Sequence, residues 1–231
     1  MSYDLFMASI PVILEGFRLT VIITLAAFLL GQVAALPLAL AAASRHRVVA
    51  WPAQFYIFFV RGSPVLVQLF IIYYGLGGLE AVRDSILWPI LKEPVGCAIL
   101  AVGLNSAAYV GALLRGAITQ IPPGQSEAAR ILGLGRWQTL TRVVLPQAYR
   151  DVLPVLGNEI TLVMKASSLA SAVTVIEMTG AARVMVSRTF APFEAFTVAG
   201  LFYLGLALIF AWVFRFVERR SAIPGLSNRE S

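Results

Sequence analysis

Long apolar runs separated by short polar segments dominate this chain. The first run, residues 19–43, contains no charged residue and exceeds the apolar core of a signal peptide. Because about 20 apolar residues cross the roughly 30 Å of hydrocarbon in a bilayer, this run predicts a membrane-spanning helix. Further runs predict four more spans, at about residues 63–79, 95–117, 152–176 and 195–214.

The second apolar run is interrupted by Arg61, Gly62, Ser63 and Pro64. We therefore expect the second span to begin near Ser63, after a segment that lies at the membrane interface. Arg61 is expected to reach back to the cytoplasmic membrane surface and to have an architectural role. The expected interfacial segment is aromatic and includes Trp51, Phe55, Tyr56, Phe58 and Phe59.

Composition supports an all-α integral membrane protein with one domain, residues 1–231. Hydrophobic residues make up 59% of the chain and charged residues 13%, which excludes a soluble domain with a polar surface. Cys97 is the single cysteine, so neither an internal disulfide nor a cysteine metal site can form. His46 lies between two arginines and reads as part of a basic loop. No metal or redox cofactor is indicated.

The basic residues predict the orientation of the chain, because positively charged loops stay in the cytoplasm. The loops after the first and third spans and the C-terminal tail carry an excess of arginine, whereas acids balance the bases in the other two loops. The N-terminus is therefore expected outside and the C-terminus inside. The arginines that set this orientation are Arg45, Arg47, Arg130, Arg136, Arg142, Arg150, Arg215, Arg219, Arg220 and Arg229.

The third loop, about residues 122–146, contains a polar insert between two spans. Ser126 can cap a short helix whose first turn holds Glu127, a favourable place for an acid at the positive end of the helix dipole. Ala128 and Ala129 continue that helix. Gly133 and Gly135 then permit a sharp turn, and a second amphipathic helix over residues 136–144 is predicted to end before Pro146.

Two roles fit such an insert. Its small residues allow another protein's backbone to approach closely, which favours docking into a groove on a partner. A helix that lies on anionic lipid is the alternative, because Arg130, Arg136 and Arg142 also suit that role. Lipid binding has no need of Ala128, Ala129 or Gly133.

The spacing E-A-A, three residues, G, nine residues, V-x-L-P resembles the cytoplasmic coupling loop of ATP-driven importers. Several further segments resemble the permease subunits of ATP-binding-cassette (ABC) importers for polar amino acids, of the histidine, arginine, glutamine and opine type. The resemblance covers about residues 17–220. The matching segments are FVRGSPVLVQLF (59–70), SAAYV (106–110), RGAI (115–118), IPxGQ (121–125), GL (133–134), RWQ (136–138), LPQA (145–148), GNE (157–159) and SSLAS (167–171).

This resemblance implies a type I ABC importer permease fold with about five spans in the bacterial inner membrane. Such a permease pairs with a second copy or a homologous permease, receives its substrate from a periplasmic binding protein and rests on two ATPase subunits. The ATPase-coupling residues would be Glu127, Ala128, Ala129, Gly133, Leu145 and Pro146. The chain is then no enzyme, since it lacks a phosphate-binding loop, and ATP and Mg²⁺ belong to the partner ATPase.

Polar residues at membrane depth indicate the substrate path, because each is unfavourable unless it faces protein or water. Asn105, Tyr109 and Ala112 share one face of the third span. Asn158, Thr161, Lys165 and Ser168 share a face of the fourth. The candidates for the substrate path are Asn105, Tyr109, Asn158, Glu159, Lys165 and Ser168.

Lys165 allows two interpretations. Its ammonium group could bind a substrate carboxylate, or it could pair with Glu159 or with an acid on another span. Glu159 and Lys165 are six residues apart and lie on different helix faces, which disfavours their pairing.

Two departures from the family pattern bear on the substrate. Where many similar chains carry an acid after the tyrosine of the third span, this chain has Ala112, and after Lys165 it has Ala166. Their absence disfavours a simple cationic amino acid and leaves room for a bulkier or more acidic amino-acid derivative such as an opine.

A secondary transporter or channel for small polar solutes is the alternative class, because spans with midplane charges suit it as well. Such proteins often contain inverted repeats. Five spans with one large cytoplasmic insert do not divide into two equal halves, which disfavours this class.

Overall fold

The computed structural model describes residues 3–221, and its regular elements there are all helical. Five long helices organise the fold: α1 (Tyr3–Ala42), α2 (Arg47–Gly62), α6 (Pro94–Gln120), α9 (Leu145–Ser167) and α11 (Pro192–Ser221). The shorter helices are α3 (Val65–Phe70), α4 (Glu80–Arg83), α5 (Trp88–Leu91), α7 (Pro123–Ile131), α8 (Arg136–Thr139) and α10 (Met178–Thr189).

Within residues 3–221, three helices are long and apolar enough to cross a membrane alone, namely α1, α6 and α11. Two bent pairs bring the number of candidate spans in the described chain to five. In the first pair, α2 meets the helical stretch Val65–Gly78 at 106°, and in the second, the stretch Arg136–Val173 meets α10 at 46°. The predicted all-α membrane fold is confirmed.

Two helices extend beyond the predicted spans. The helix that contains the first apolar run begins at Tyr3, well before residue 19. The aromatic segment before Ser63, expected at the membrane interface, is itself helical and forms α2. Ser63 and Pro64 are the extended residues that separate α2 from α3.

Small residues hold α1 and α6 together at close range. Ala27, Gly31, Ala35 and Ala39 recur at every fourth position of α1 and are buried. A β-carbon added to Gly31 would lie 2.8 Å from Ser106 Oγ, so the α1 backbone touches a side chain of α6 directly. Such close approach allows dispersion contacts along the whole interface. These contacts matter because the hydrophobic effect does not drive helices together in lipid.

The helix α9 packs between α6 and α11 and also contacts α1. Gly157 of α9 lies against Phe214 of α11, where an added β-carbon would be 2.9 Å from Phe214 Cβ. Phe214 also packs edge-on against Phe28 of α1, with ring centroids 5.9 Å apart. These contacts place one face of α9 in the protein core and leave the opposite face uncovered in this chain.

Candidate functional site

The break between α2 and α3 is held by side-chain hydrogen bonds. Gln68 Nε2 donates to the carbonyl oxygen of Val60 at 2.8 Å and to that of Ser63 at 3.2 Å. Gln68 Nε2 also donates to Ser63 Oγ at 2.8 Å. Because Pro64 cannot continue the helical ladder, these bonds satisfy backbone carbonyls that water would otherwise have to reach.

Two residues of α6 complete this assembly. Asn105 Nδ2 donates to Gln68 Oε1 at 3.2 Å, and Tyr109 donates its hydroxyl to the carbonyl oxygen of Arg61 at 3.4 Å. The guanidinium carbon of Arg61 lies 5.0 Å from the centre of the Tyr109 ring, a cation–π contact. Since Asn105 and Tyr109 lie near the middle of α6, the guanidinium of Arg61 packs beside the middle of that helix.

A cavity of about 210 Å³ opens between α6 and α9 next to this assembly. The carboxylate of Glu159 faces it, is 6% exposed, and accepts a hydrogen bond of 2.7 Å from Ser106 Oγ. Three predicted substrate-path residues therefore come together here: Asn105, Tyr109 and Glu159. The remaining lining residues are Val102, Ser106, Leu162, Val163 and Ala166.

Lys165 and Ser168 line a different cavity, of about 270 Å³, between α9 and α11. Lys165 is exposed, and no ion pair between it and Glu159 is seen in the described part of the chain. Asn158 is exposed on the same face of α9 and lines neither cavity. The other lining residues of this second cavity are Thr179, Phe196, Ala199, Gly200 and Tyr203.

The two alanines of interest occupy different surroundings. Ala166 lines the cavity beside Glu159. Ala112 instead packs against the cluster of Ala42, Ala53 and Ile57 where α1 meets α2. Only Ala166 of the pair thus borders the α6–α9 cavity directly.

The polar insert forms a projection made of α7 and α8. Helix α7 starts at Pro123, directly after Pro122, so Ser126 lies inside the helix and the predicted Ser126 cap was wrong. Glu127 and Ala128 are exposed, whereas Ala129 is 3% exposed and faces the interior of the projection.

A left-handed glycine makes the turn of this projection. Gly133 has a φ of +81°, a conformation that residues with a β-carbon rarely adopt, which confirms the predicted glycine turn. Leu134 N then donates to the carbonyl oxygen of Ala129 at 3.0 Å and closes the end of α7. Around this turn, three large apolar side chains are exposed: Ile131 by 86%, Leu132 by 81% and Trp137 by 71%.

The second helix of the projection continues into the membrane-spanning part of the chain. Helix α8 passes through a π-helical turn, Leu140–Val144, directly into α9. The predicted end before Pro146 was wrong, because proline is tolerated in the first turn of a helix and Pro146 lies there. Leu145 is half-buried and Pro146 is exposed. Gln147 Nε2 also donates to Gln125 Oε1 at 2.6 Å, which ties α9 to α7.

The carboxylate of Glu177 caps α10 and is buried. Its place in the sequence had suggested a charge in a loop between two spans. Glu177 is fully buried and accepts hydrogen bonds of 2.9 Å from the backbone nitrogens of both Thr179 and Gly180. Tyr203 of α11 donates to the same carboxylate at 2.6 Å, and Thr20 of α1 lies at 3.5 Å. The sign that could have revealed it is an acid directly before the start of a helix.

Bent helix pairs, polar groups in a cavity between α6 and α9, and a projection continuous with α9 together indicate a membrane-embedded transport subunit. The comparisons with known proteins agree. Residues 35–223 match the family of binding-protein-dependent transport system inner membrane components, and the chain belongs to this family. It is the permease subunit of an ABC importer of the amino-acid type, and ATP hydrolysis resides in a separate subunit.

Several relatives cover nearly the whole chain. The octopine transport system permease of Rhizobium meliloti is 43% identical over 89% of this chain and 84% of its own length. The nopaline transport system permease of Agrobacterium fabrum is 40% identical, over 90% and 87%. The arginine ABC transporter permease of Haemophilus influenzae is 34% identical, over 94% and 95%.

Solved structures show the same fold. A chain from the crystal structure of an amino acid ABC transporter with histidines matches with a TM-score of 0.79 and 31% identity, over 95% of this chain and 99% of that one. A chain of an inward-facing methionine ABC transporter matches with a TM-score of 0.78 over 96% and 100%; at 16% identity this likeness shows the fold alone. The family implies ATPase and substrate-binding partners and a place in the bacterial inner membrane.

Proposed function

We propose that this permease imports an opine, an amino-acid derivative with an additional carboxylate, from a periplasmic binding protein. The observation that carries the proposal is the α6–α9 cavity, where an alanine, Ala166, stands beside the single carboxylate of Glu159. A second acid there would favour a purely cationic substrate through its charge. The similarity to octopine and nopaline permeases supports the same substrate class.

Competition between substrates tests this proposal. We expect the transporter, reconstituted in proteoliposomes with its ATPase and binding protein, to take up labelled octopine, and unlabelled octopine to compete far better than arginine. Uptake of arginine or lysine with no uptake of octopine contradicts the opine assignment.

A charge placed in the cavity tests the role of Ala166. Ala166→Glu should lower octopine uptake by about tenfold, since a second carboxylate would face the substrate's acidic groups. Ala166→Gln is the matched control, because it adds similar volume without charge. Equal losses for the two variants would mean that size rather than charge decides.

We propose that residues 122–146 dock on the ATPase from the cytoplasm, with the N-terminus of the chain outside. The exposed side chains of Ile131, Leu132 and Trp137 support docking on a protein, because soluble surfaces rarely leave such a cluster uncovered. The continuous helical connection from α8 into α9 offers a direct route for the movement. The excess of arginine in this loop supports its cytoplasmic side.

A second permease, either another copy or a homologous chain, is proposed to cover the free face of α9. Asn158 and Lys165 are exposed there beside Val155 and Leu162. Amide and ammonium groups at membrane depth require protein or water around them, so contact with lipid chains is unfavourable. Crosslinking of Asn158→Cys in membranes would test this arrangement, with a dimer band expected.

A further inference from the structure

We infer that Arg61 binds the carboxylate of the substrate at the edge of the α6–α9 cavity. This inference rests on the proposed function, since it assigns a residue to the substrate path of the importer. It differs from the architectural role at the membrane surface that the sequence suggested.

The position of Arg61 demands an anionic partner. It lies at the break between α2 and α3, beside the middle of α6, which is long and apolar enough to span a membrane. A charge in the interior of a membrane is strongly unfavourable without compensation. Its side chain is exposed, and among residues 3–221 its guanidinium has no carboxylate or hydrogen-bond partner. The contact with the Tyr109 ring holds the guanidinium but leaves its N–H donors free.

Tyr109 connects Arg61 to the cavity. The ring of Tyr109 lines the cavity and also carries the guanidinium at 5.0 Å. The Tyr109 hydroxyl binds the Arg61 carbonyl, which fixes the backbone from which the arginine side chain extends. A planar guanidinium presents parallel donors that match a carboxylate, so a substrate entering the cavity can be bound by two hydrogen bonds.

The same cavity supplies the opposite charge. Glu159 is bonded to Ser106 through Oε1, and among the described residues no partner is seen for Oε2. A substrate with a carboxylate at one end and a cation at the other can therefore meet Arg61 and Glu159 together. This pairing suits a zwitterionic amino-acid derivative better than a purely cationic or purely anionic solute.

Ligands that differ by one carboxylate test the inference. Equilibrium binding of labelled octopine, L-arginine and agmatine, which is arginine without its carboxylate, is measured on the assembled permease–ATPase complex in nanodiscs without the binding protein. Arg61→Gln should weaken octopine and arginine binding by about 10- to 100-fold, as expected for a charge-assisted pair, and leave agmatine binding nearly constant. A parallel loss for all three ligands would indicate a structural role and overturn the inference.

Further variants separate Arg61 from other cations. Arg83 makes a similar ring contact, with Trp88 at 6.0 Å, but lies outside the cavity, so Arg83→Gln should change none of the three affinities.

If Lys165 holds the carboxylate instead, Lys165→Gln will lose the preference for arginine over agmatine and Arg61→Gln will keep it, which overturns the inference. If Arg61→Gln fails to assemble, Arg61→Lys decides, with an intermediate loss expected for carboxylated ligands only.

The two proposals fail in different ways. If the wild-type complex binds arginine but not octopine, the opine assignment is wrong, while the comparison of arginine with agmatine still tests Arg61. If octopine binds and Arg61→Gln leaves the preference for carboxylated ligands intact, the assignment of Arg61 is wrong and the opine proposal stands.

Discussion

The backbone of Gly16 in α1 lies directly against the backbone of Glu177. A β-carbon at Gly16 would be 2.6 Å from the Glu177 carbonyl carbon and 2.7 Å from Met178 N. Thr20, one turn further along α1, receives a hydrogen bond of 3.2 Å from Met178 N. The start of α10 therefore packs against α1 through a backbone contact at Gly16 and a hydrogen bond to the hydroxyl of Thr20.

Gly16→Ala should destabilise the chain by about 1 to 3 kcal/mol, because the added methyl group overlaps backbone atoms that cannot move independently. Thermal unfolding of the purified complex in detergent measures this loss. Gly205→Ala is the control, since a β-carbon at Gly205 meets nothing within 4 Å in this chain. Equal stability of both variants would show that α10 can shift away from α1 freely.

Glu177→Ala should lower stability by about 2 kcal/mol or more, because it removes the cap of α10 and leaves the hydroxyl of the half-buried Tyr203 without this acceptor. Tyr203→Phe should have a smaller effect, about 1 kcal/mol, since the carboxylate keeps its backbone donors. The same melting experiment ranks the two variants. A larger effect of Tyr203→Phe would mean that packing of the ring, and not the cap, dominates.

Gly133→Val should uncouple transport from ATP hydrolysis while insertion into the membrane continues. The left-handed backbone at Gly133 costs a residue with a β-carbon about 1 to 2 kcal/mol, and a branched one more, so the turn of the projection should rearrange. Gly135→Ala is the control, because Gly135 has an extended backbone that any residue adopts. Transport and ATPase activity are measured together, and unchanged transport in Gly133→Val counts strongly against docking through this turn.

Trp137→Ala should weaken association of the permease with its ATPase by about 30-fold, as expected for an exposed tryptophan at the centre of an interface. Pull-down of the ATPase at graded concentrations gives the affinity. Trp51→Ala is a matched control, since Trp51 on α2 is 69% exposed against 71% for Trp137. Similar losses in the two variants would assign the effect to general damage of the protein.

Much of the membrane fold could be predicted from apolar run length, because the hydrocarbon thickness sets that length directly. The break at Ser63 and Pro64 was visible as a polar interruption. Which turn of α6 this break packs against could not be predicted, because that pairing is a tertiary contact. The contact of Arg61 with Tyr109, near the middle of α6, was therefore missed.

The predicted substrate path was a set of polar residues grouped by helix periodicity. Periodicity finds residues on one face of one helix, so it identified Asn105 and Tyr109 correctly as neighbours. It could not tell that Glu159 joins them from α9 while Lys165 turns to another cavity. The buried position of Glu177 was missed for the same reason, since its donors come from three different helices.

The glycines between α1 and α6 have a mechanical consequence. Leu30 of α1 covers Gly103 of α6, and Leu38 covers Gly111, with distances of 2.8 and 3.0 Å from an added β-carbon to the leucine Cδ2. Sliding either helix by one residue would drive these leucines into larger neighbours. The two helices should therefore move as a single rigid body. Any opening of the substrate path should then come from the two bent spans, which can pivot against this fixed pair at Ser63 and between Val173 and Met178.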